Sequence, residues 1–326
     1  MMLQQTVPAS PIQQQFPIRI HELLDEEKTA IAIRTMRWSG GVYCTRCNSK
    51  NVKKNGTSNR SPLLQRYKCN GCKKRFDDLT GIIFSGSHHS VCVWITLIYF
   101  VGLNLSNLQI AAELDLTEKV AQDMATSVRT AIYEKKPKPI LSGTAECDEA
   151  YIVAGHKGHP GAVQRQNRKG RRRRLKGAPG RSTLAKDKPP VLGIAQRGGD
   201  IAVFMLPDVR IATIEPIIRS VIAPGTSVNT DEYSIYNRLG VWGYLHKSVN
   251  HAIGEYARDE DGDGHHEVHV NTVEGFWSLL RSWLRPHRGV SQENLPYYLG
   301  LFEFVHNVRR RGKALLSSLV GLLVAA

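Results

Sequence analysis

Residues 144–155 read TAECDEAYIVAG, and the fold turns on how this stretch is taken. It is rich in β-forming residues and is bounded upstream by the Pro-punctuated KKPKPILSG at 135–143, so it predicts a strand. Downstream, PPVLGIAQRGGDIAVFMLPD (189–208) predicts a hairpin turning at Gly198 and Gly199. IATIEPIIRSVI (211–222) has helical spacing, GTSVNTDEYS (225–234) and YLHKSVNH (244–251) carry two further short strands, and VNTVEGFWSLLRSWLR (270–285) is a strong amphipathic helix. The order strand, strand, strand, helix, strand, strand, helix indicates an α/β layer with a mixed sheet rather than a βαβ repeat.

Within this frame three acids sit where a phosphodiester-cleaving centre needs them. Asp148 lies in the first strand, Asp231 at the end of a later one, and Glu274 on the helix that follows. Strands hold carboxylates rigidly and a helix can lower its Glu onto them, so residues distant in sequence gather around Mg²⁺ or Mn²⁺. Two such ions about 3.5–4 Å apart suit an in-line displacement, and carboxylates are the hard oxygen ligands Mg²⁺ prefers. Each acid alone has a commoner reading as a turn or solvated residue; the arrangement carries the argument. Glu146, Glu149 and Glu232 compete for the same roles. Strand alternation sets Glu149 opposite Asp148, but the sequence leaves open which face is the functional one. Helical spacing aligns Glu274 with Trp277, Ser278 and Arg281, so Arg281 is a candidate phosphate contact beside the metals. His269 and Asn271 lead into that helix, as caps or as lining of the site, with capping favoured for Asn271.

Upstream, Cys44 and Cys47 form one CxxC and Cys69 and Cys72 another, 21 residues on. Each CxxC turn brings two thiolates to one ion at about 2.3 Å, and the pair of turns predicts a closed Cys₄ structural zinc site. Residues 40–80 have no apolar run able to form a core, so the metal replaces it. Lys73, Lys74 and other basic flanks point to DNA contact, although such ribbons also dock proteins. The stretch SVCVWITLIYFVGLNLS (90–106) reads as a buried helix. LSNLQIAAELDLTEKVAQDMATSVRTAI (105–132) reads as two helices turning near Asp115 and Leu116, capped by Ser106 and Thr117. This is a helix-turn-helix or an ordinary helical pair. Before the cysteines, IHELLDEEKTAIAIRTMRW (20–38) predicts a short amphipathic helix.

Composition agrees with a nucleic-acid partner. There are 44 Lys plus Arg against 29 Asp plus Glu, a net of +15. Residues 160–188 hold eleven Lys/Arg and one acid, hence +10, in a Gly- and Pro-broken run that includes Arg171, Arg172, Arg173 and Arg174. Such a loop predicts salt-sensitive phosphate binding with little sequence preference. The first seventeen residues lack a basic and an apolar leader region, and the apolar tail LLSSLVGLLVAA (315–326) falls short of the roughly 20 residues a span requires. No membrane role is therefore expected, and the tail is expected to pack on the body or on a second subunit. Cysteines in two CxxC pairs plus Cys92 and Cys147 suit a reducing compartment. Asp259, Asp261, Asp263 and Gly264 imitate the start of a calcium loop, but Val270 stands at its twelfth position, and the segment is read as an exposed acidic loop.

CTRCNSKNV (44–52), YKCNGCKKRF (67–76), LTGIIFSGS (79–87), CDEAYIVAGHKG (147–158), PVLGIAQRGG (190–199), TDEYSIY (230–236), HVNTVEGFWSLLR (269–281) and FEFVHNVRR (302–310) together resemble the ISXO-two-like insertion-sequence transposases of the DDE class. The resemblance covers residues 40 to 310. It implies an RNase H-like mixed sheet with flanking helices, preceded by a zinc ribbon and a small helix-turn-helix-like domain. It also implies Mg²⁺-dependent nicking at transposon ends and transfer of the 3′-hydroxyl into target DNA. By motif, Asp148, Asp231 and Glu274 match the metal-binding triad. The family often has a paired Gly and Lys after the first Asp, where this chain has AGHKG with Lys157, and a Lys after the Glu, where it offers Arg281. The expected division is an N-terminal segment with a short helix (1–39), a zinc ribbon (40–80), a helical DNA-binding domain (81–140), a catalytic domain (141–312) with its basic loop, and an apolar tail (313–326). The expected enzyme is a cytoplasmic, nucleoid-associated homo-oligomer on DNA. The alternatives are a zinc-ribbon regulator with an inactive nuclease-like domain, and a structure-selective endonuclease.

Overall fold

The computed structural model describes residues 19–59, 61–155 and 188–325. The first helix, α1 (Glu26–Arg37), starts at Asp25, whose side chain accepts from the Lys28 amide, an orphan donor of the first turn. It leads into a three-stranded antiparallel sheet, β1 (Val52–Thr57), β2 (Gln65–Cys69) and β3 (Arg75–Asp77), which carries the cysteines. The ribbon is tied to α1 through Asp78, fully buried yet saturated by Arg34 Nε at 2.8 Å, Trp38 Nε1 at 3.0 Å, Tyr67 OH at 3.2 Å and the Gln65 amide at 2.7 Å. A buried carboxylate survives only when paired in this way.

Three helices follow, α2 (Val91–Gly102), α3 (Asn107–Leu114) and α4 (Glu118–Lys135). Ser106 and Thr117 cap α3 and α4 as expected, Ser106 within a capping box completed by Gln109. Asp115 turns the chain between them in the left-handed conformation.

The α/β unit opens with β4 (Thr144–Tyr151) and the short β5 (Ala154–Gly155), continues with β6 (Pro190–Gln196) and β7 (Ile201–Met205), then α5 (Ile211–Val221), β8 (Ser227–Thr230) and β9 (Leu245–Ser248). The sheet order is β7-β6-β4-β8-β9, antiparallel on the β6 side of β4 and parallel on its β8 side. The mixed sheet and the hairpin through Gly198, whose φ is +68°, match the sequence reading. A two-stranded ribbon, β10 (Ala257–Arg258) with β11 (Val268–His269), leads into α6 (Asn271–Leu284). After β12 (Val290–Ser291), which pairs with β5, come α7 (Leu295–Arg310) and α8 (Leu315–Val324).

Strand alternation gives the sheet two apolar faces. Ala145, Cys147 and Val228 pack with Ile214 and Ile218 of α5, whereas Ala150, Val191 and Val203 pack with Val273, Phe276 and Trp277 of α6 and with α7. The edge of β7 is closed by α7 side chains. Asn307 accepts from the Ile201 amide and donates to its carbonyl, both at 2.9 Å, and buried Glu303, paired with Lys136 at 2.5 Å, accepts from the Val203 amide at 3.0 Å. Another core joins residues of α1, α2, α3, α4, α7 and α8. The apolar tail thus packs on the body, so close to α2 that a Cβ at Gly102 would lie 2.5 Å from Leu319.

Candidate catalytic and metal-binding sites

The four ribbon cysteines meet. Cys44 and Cys72 sulfurs are 3.4 Å apart, Cys47 and Cys69 sulfurs 3.7 Å, and all four lie within 4.8 Å of one another. A tetrahedral ion with bonds of about 2.3 Å requires sulfurs roughly 3.8 Å apart, so this cluster could bind zinc. Local amides prepare the charge. Burial resists ionisation of Cys44, but the Arg46 and Cys47 amides outweigh it and bring its thiol to about 6. Cys69 is lowered by the Cys72 amide, and Cys72, against the pull of the Lys74 amide, is pushed up to about 11 by desolvation and by the three neighbouring thiols, since thiolates this close cannot all ionise without a cation. Lys73 and Lys74 are exposed beside the cluster.

In the α/β unit the carboxylates sort by strand face. Glu146 and Asp148 point from β4 toward α6, while Glu149 points toward α5, where Tyr236 donates to it. The parallel register pairs Glu146 with Asn229, and Asp231 follows directly after β8, near enough for its charge to act on Asp148. Asp231 accepts from the Tyr233 amide at 3.0 Å, which holds the turn after β8. Glu274 is exposed in the first turn of α6, where the helix dipole favours an anion.

Asp148 is the focus of the group. Trp277 Nε1 donates to its Oδ2 at 2.8 Å. Burial raises its pKa to about 6; the Trp277 bond works against that, and the negative charges of Asp231 and Glu274 add to it. The Trp277 ring reaches this position over Gly193, the residue paired with Asp148 across β6, where a Cβ would lie 2.6 Å from the ring. The oxygens of the three acids do not all close to within 4.8 Å, so they are spaced more widely than the ligands of one tight ion.

Glu146, a competitor in the sequence reading, serves another purpose. It is fully buried and accepts from the Thr272 amide at 2.8 Å, the Val273 amide at 3.1 Å, Thr272 Oγ1 at 2.8 Å and Arg197 Nε at 2.7 Å. It therefore caps α6 from another strand, and Arg197 extends the clamp to the carbonyls of Glu267 and His269. The expected cap, Asn271, instead occupies the first helical position with an exposed side chain. His269 Nδ1 accepts from the Asn271 amide at 3.2 Å, and burial followed by Arg197 lowers its pKa. Its 3.3 Å approach to Glu146 is for that reason no ion pair, because Nδ1 accepts a hydrogen bond from the amide and so carries no hydrogen of its own. A strand-borne Glu two residues before Asp148 is the signal that would have pointed to the clamp; for Trp277 the signal was its place one turn after Glu274.

Ser278 and Arg281 are exposed on α6, while Trp277 turns inward. Lys157 and Arg171–Arg174 lie outside the described residues, as does the basic loop up to residue 187. The acidic loop at 259–267 is largely exposed, with Asp259 accepting from the Gly262 and Gly264 amides. No helix among the described residues is long and apolar enough to cross a membrane.

Residues 140–307 match the model of the ISXO2-like transposase domain. The chain is 33% identical over 305 residues, 92% of its length and 98% of the relative's, to an "uncharacterized protein in transposable element ISH50" of Halobacterium salinarum. It is 28% identical over 103 residues, 32% of its length and 77% of the relative's, to an "uncharacterized transposase-like protein" of Haemophilus influenzae. Among solved structures, a simian T-cell lymphotropic virus intasome in complex with the PP2A regulatory subunit B56 gamma aligns over 64% of this chain and 67% of its own, at 10% identity and a TM-score of 0.28, a score that defines no shared fold. The domain match over half the chain and the near full-length relative agree: this chain belongs to the ISXO2-like transposase family.

Proposed function

We propose that the α/β unit is an RNase H-like catalytic domain of a DDE transposase in which Asp148, Asp231 and Glu274 hold divalent metal ions, Mg²⁺ or Mn²⁺. On this reading the protein binds the ends of its insertion sequence, nicks the DNA and joins the freed 3′-hydroxyl to target DNA. It works as a homo-oligomer at the nucleoid, with one structural Zn²⁺ in the ribbon. The observation that supports the reading is the convergence of the three acids: Asp148 on β4, Asp231 directly after the parallel neighbour β8, and Glu274 on α6, with Asp231 and Glu274 both near enough to raise the pKa of Asp148. Negative charge concentrated at a cost is what a cation relieves.

When bound, the ions supply Lewis-acid stabilisation of the attacking and leaving oxygens. The chain's own residues set the geometry. Trp277 fixes one oxygen of Asp148, and Glu146 pins the first turn of α6 to the strand of Asp148, so Glu274 is presented at a set spacing. Arg281, exposed and in no ion pair among the described residues, is available to a phosphate of the substrate strand. As an arginine it offers a planar fork in place of an ammonium.

The test is cleavage of a duplex bearing the element's terminal repeats, with Mg²⁺ or Mn²⁺. The wild type should nick and join it, and Asp148→Ala or Asp231→Ala should reduce cleavage by about 10³-fold or more while DNA binding persists. Full activity of either variant overturns the assignment. Binding without any cleavage by the wild type would favour a DNA-binding regulator.

A further inference from the structure

A groove of about 770 Å³ lies away from the carboxylates, between the N-terminus of α3 and the turn that follows α6. Its walls are cationic. Arg285 and Arg288 line it, both exposed and neither in an ion pair among the described residues, against one acid of the lining, exposed Glu293. At the α3 end, the Gln109 amide is taken by Ser106, while the amides of Asn107 and Leu108 have no partner among the described residues. Unsatisfied first-turn amides and the helix dipole favour an anion there.

Independent of the helix end is Arg129, on α4. It is only 2% exposed and among the described residues has no carboxylate partner. Its Nη2 donates to Asn107 Oδ1 at 3.1 Å and its guanidinium stands 4.4 Å from the Tyr298 ring, both residues being walls of the groove; its Nε has no partner. A buried cation without a counter-charge is costly, and this one is held against the groove wall.

We propose that this groove binds the phosphodiester backbone of DNA, with Arg285, Arg288 and the first-turn amides of α3 as contacts and Arg129 as the fixed charge behind them. The inference rests on the transposase reading and adds to it a second phosphate site. Arg285 follows Glu274 by eleven residues, about 16 Å along a helix, which is about half a turn of duplex DNA. A phosphate held in the groove would anchor the DNA flanking the cleavage point, and the groove is joined to the helical layer, since Asn104 donates to the Trp283 carbonyl at 2.8 Å.

The experiment compares wild type with a double variant, Arg285→Ala with Arg288→Asn, the Asn chosen because Arg288 has a left-handed backbone, φ +50°, that Asn tolerates. Affinity is measured against salt for a duplex with the terminal repeats and for a random duplex of equal length. The double variant should bind both more weakly to a similar degree, and its slope of log affinity on log salt should be shallower by about 1–2. Arg219→Ala, outside the groove's lining and ion-paired with Glu215 on α5, should change neither. Unchanged affinity and slope in the double variant, with wild type binding DNA, overturns the groove alone. No DNA binding by wild type overturns both readings. Weakened binding in the double variant together with a wild type that never cleaves keeps the groove and overturns the nuclease.

Discussion

The cysteine cluster and the carboxylate site solve the same problem, holding like charges together, by opposite means. In the ribbon, each pair of ligands comes from one tight turn, and sulfurs stand 3.4–3.7 Å apart with backbone amides already turned toward them. In the α/β unit the proposed ligands come from β4, the residue after β8 and α6, and their spacing is kept by residues outside the triad. The first site is local, and it sits on a small core of Trp38, Tyr67 and Phe76 that the sequence reading of residues 40–80 did not expect. The second is an outgrowth of a packed sheet whose fold stands apart from any ion.

That difference can be broken from the ribbon side first. Stripping the metal from the cluster, or replacing Cys69 with Ser, should remove on the order of 10 kcal/mol of binding free energy that is also folding free energy for residues 40–80. Proteolysis should then open the ribbon while the α/β unit stays protected; equal protection of the ribbon with and without metal would sink the contrast.

On the other side, two acids two residues apart on one strand face have opposite fates. Glu146 has protein donors for both oxygens and stabilises the fold, whereas for Asp148 the Trp277 indole and the Glu149 amide do not offset burial, and the group is a burden on the fold. Removing Glu146 leaves Arg197 without its carboxylate and α6 without its cap. Glu146→Ala should therefore lose about 3–5 kcal/mol in urea unfolding and lose cleavage as well. A stable, active Glu146→Ala protein would show that the clamp does not set the site.

Asp148→Asn should act in the reverse sense. With a folded pKa of about 6 against an ordinary 3.8, the ionised form is disfavoured by folding, so in Mg²⁺-free buffer the wild type loses stability as pH rises from 4 through 6. Asn removes that penalty and should stabilise the protein at pH 8 by on the order of 2 kcal/mol, with the two proteins converging below pH 4. A variant no more stable than wild type at pH 8 would mean that burial and the neighbouring acids do not strain Asp148.

Much of this molecule was legible in the sequence because the signals were local. Two CxxC turns specify their own geometry, Ser106 and Thr117 announce helix starts, and Gly198 with Gly199 announces a hairpin. The order of elements yielded a mixed sheet for the same reason. The partners of Asp148 were harder to read, because alternation told only that Glu149 opposes it.

The residue types that can hold metal, and the elements that bear them, were determined by the sequence alone, since spacing and propensity act within a few residues. Tertiary structure alone decided that Glu146 caps a helix 126 residues away, that Trp277 crosses Gly193 to reach Asp148, and that Asn271 is left exposed. A buried carboxylate takes whatever donors the packed fold brings to it, and those donors come from strands and helices whose approach no local pattern records.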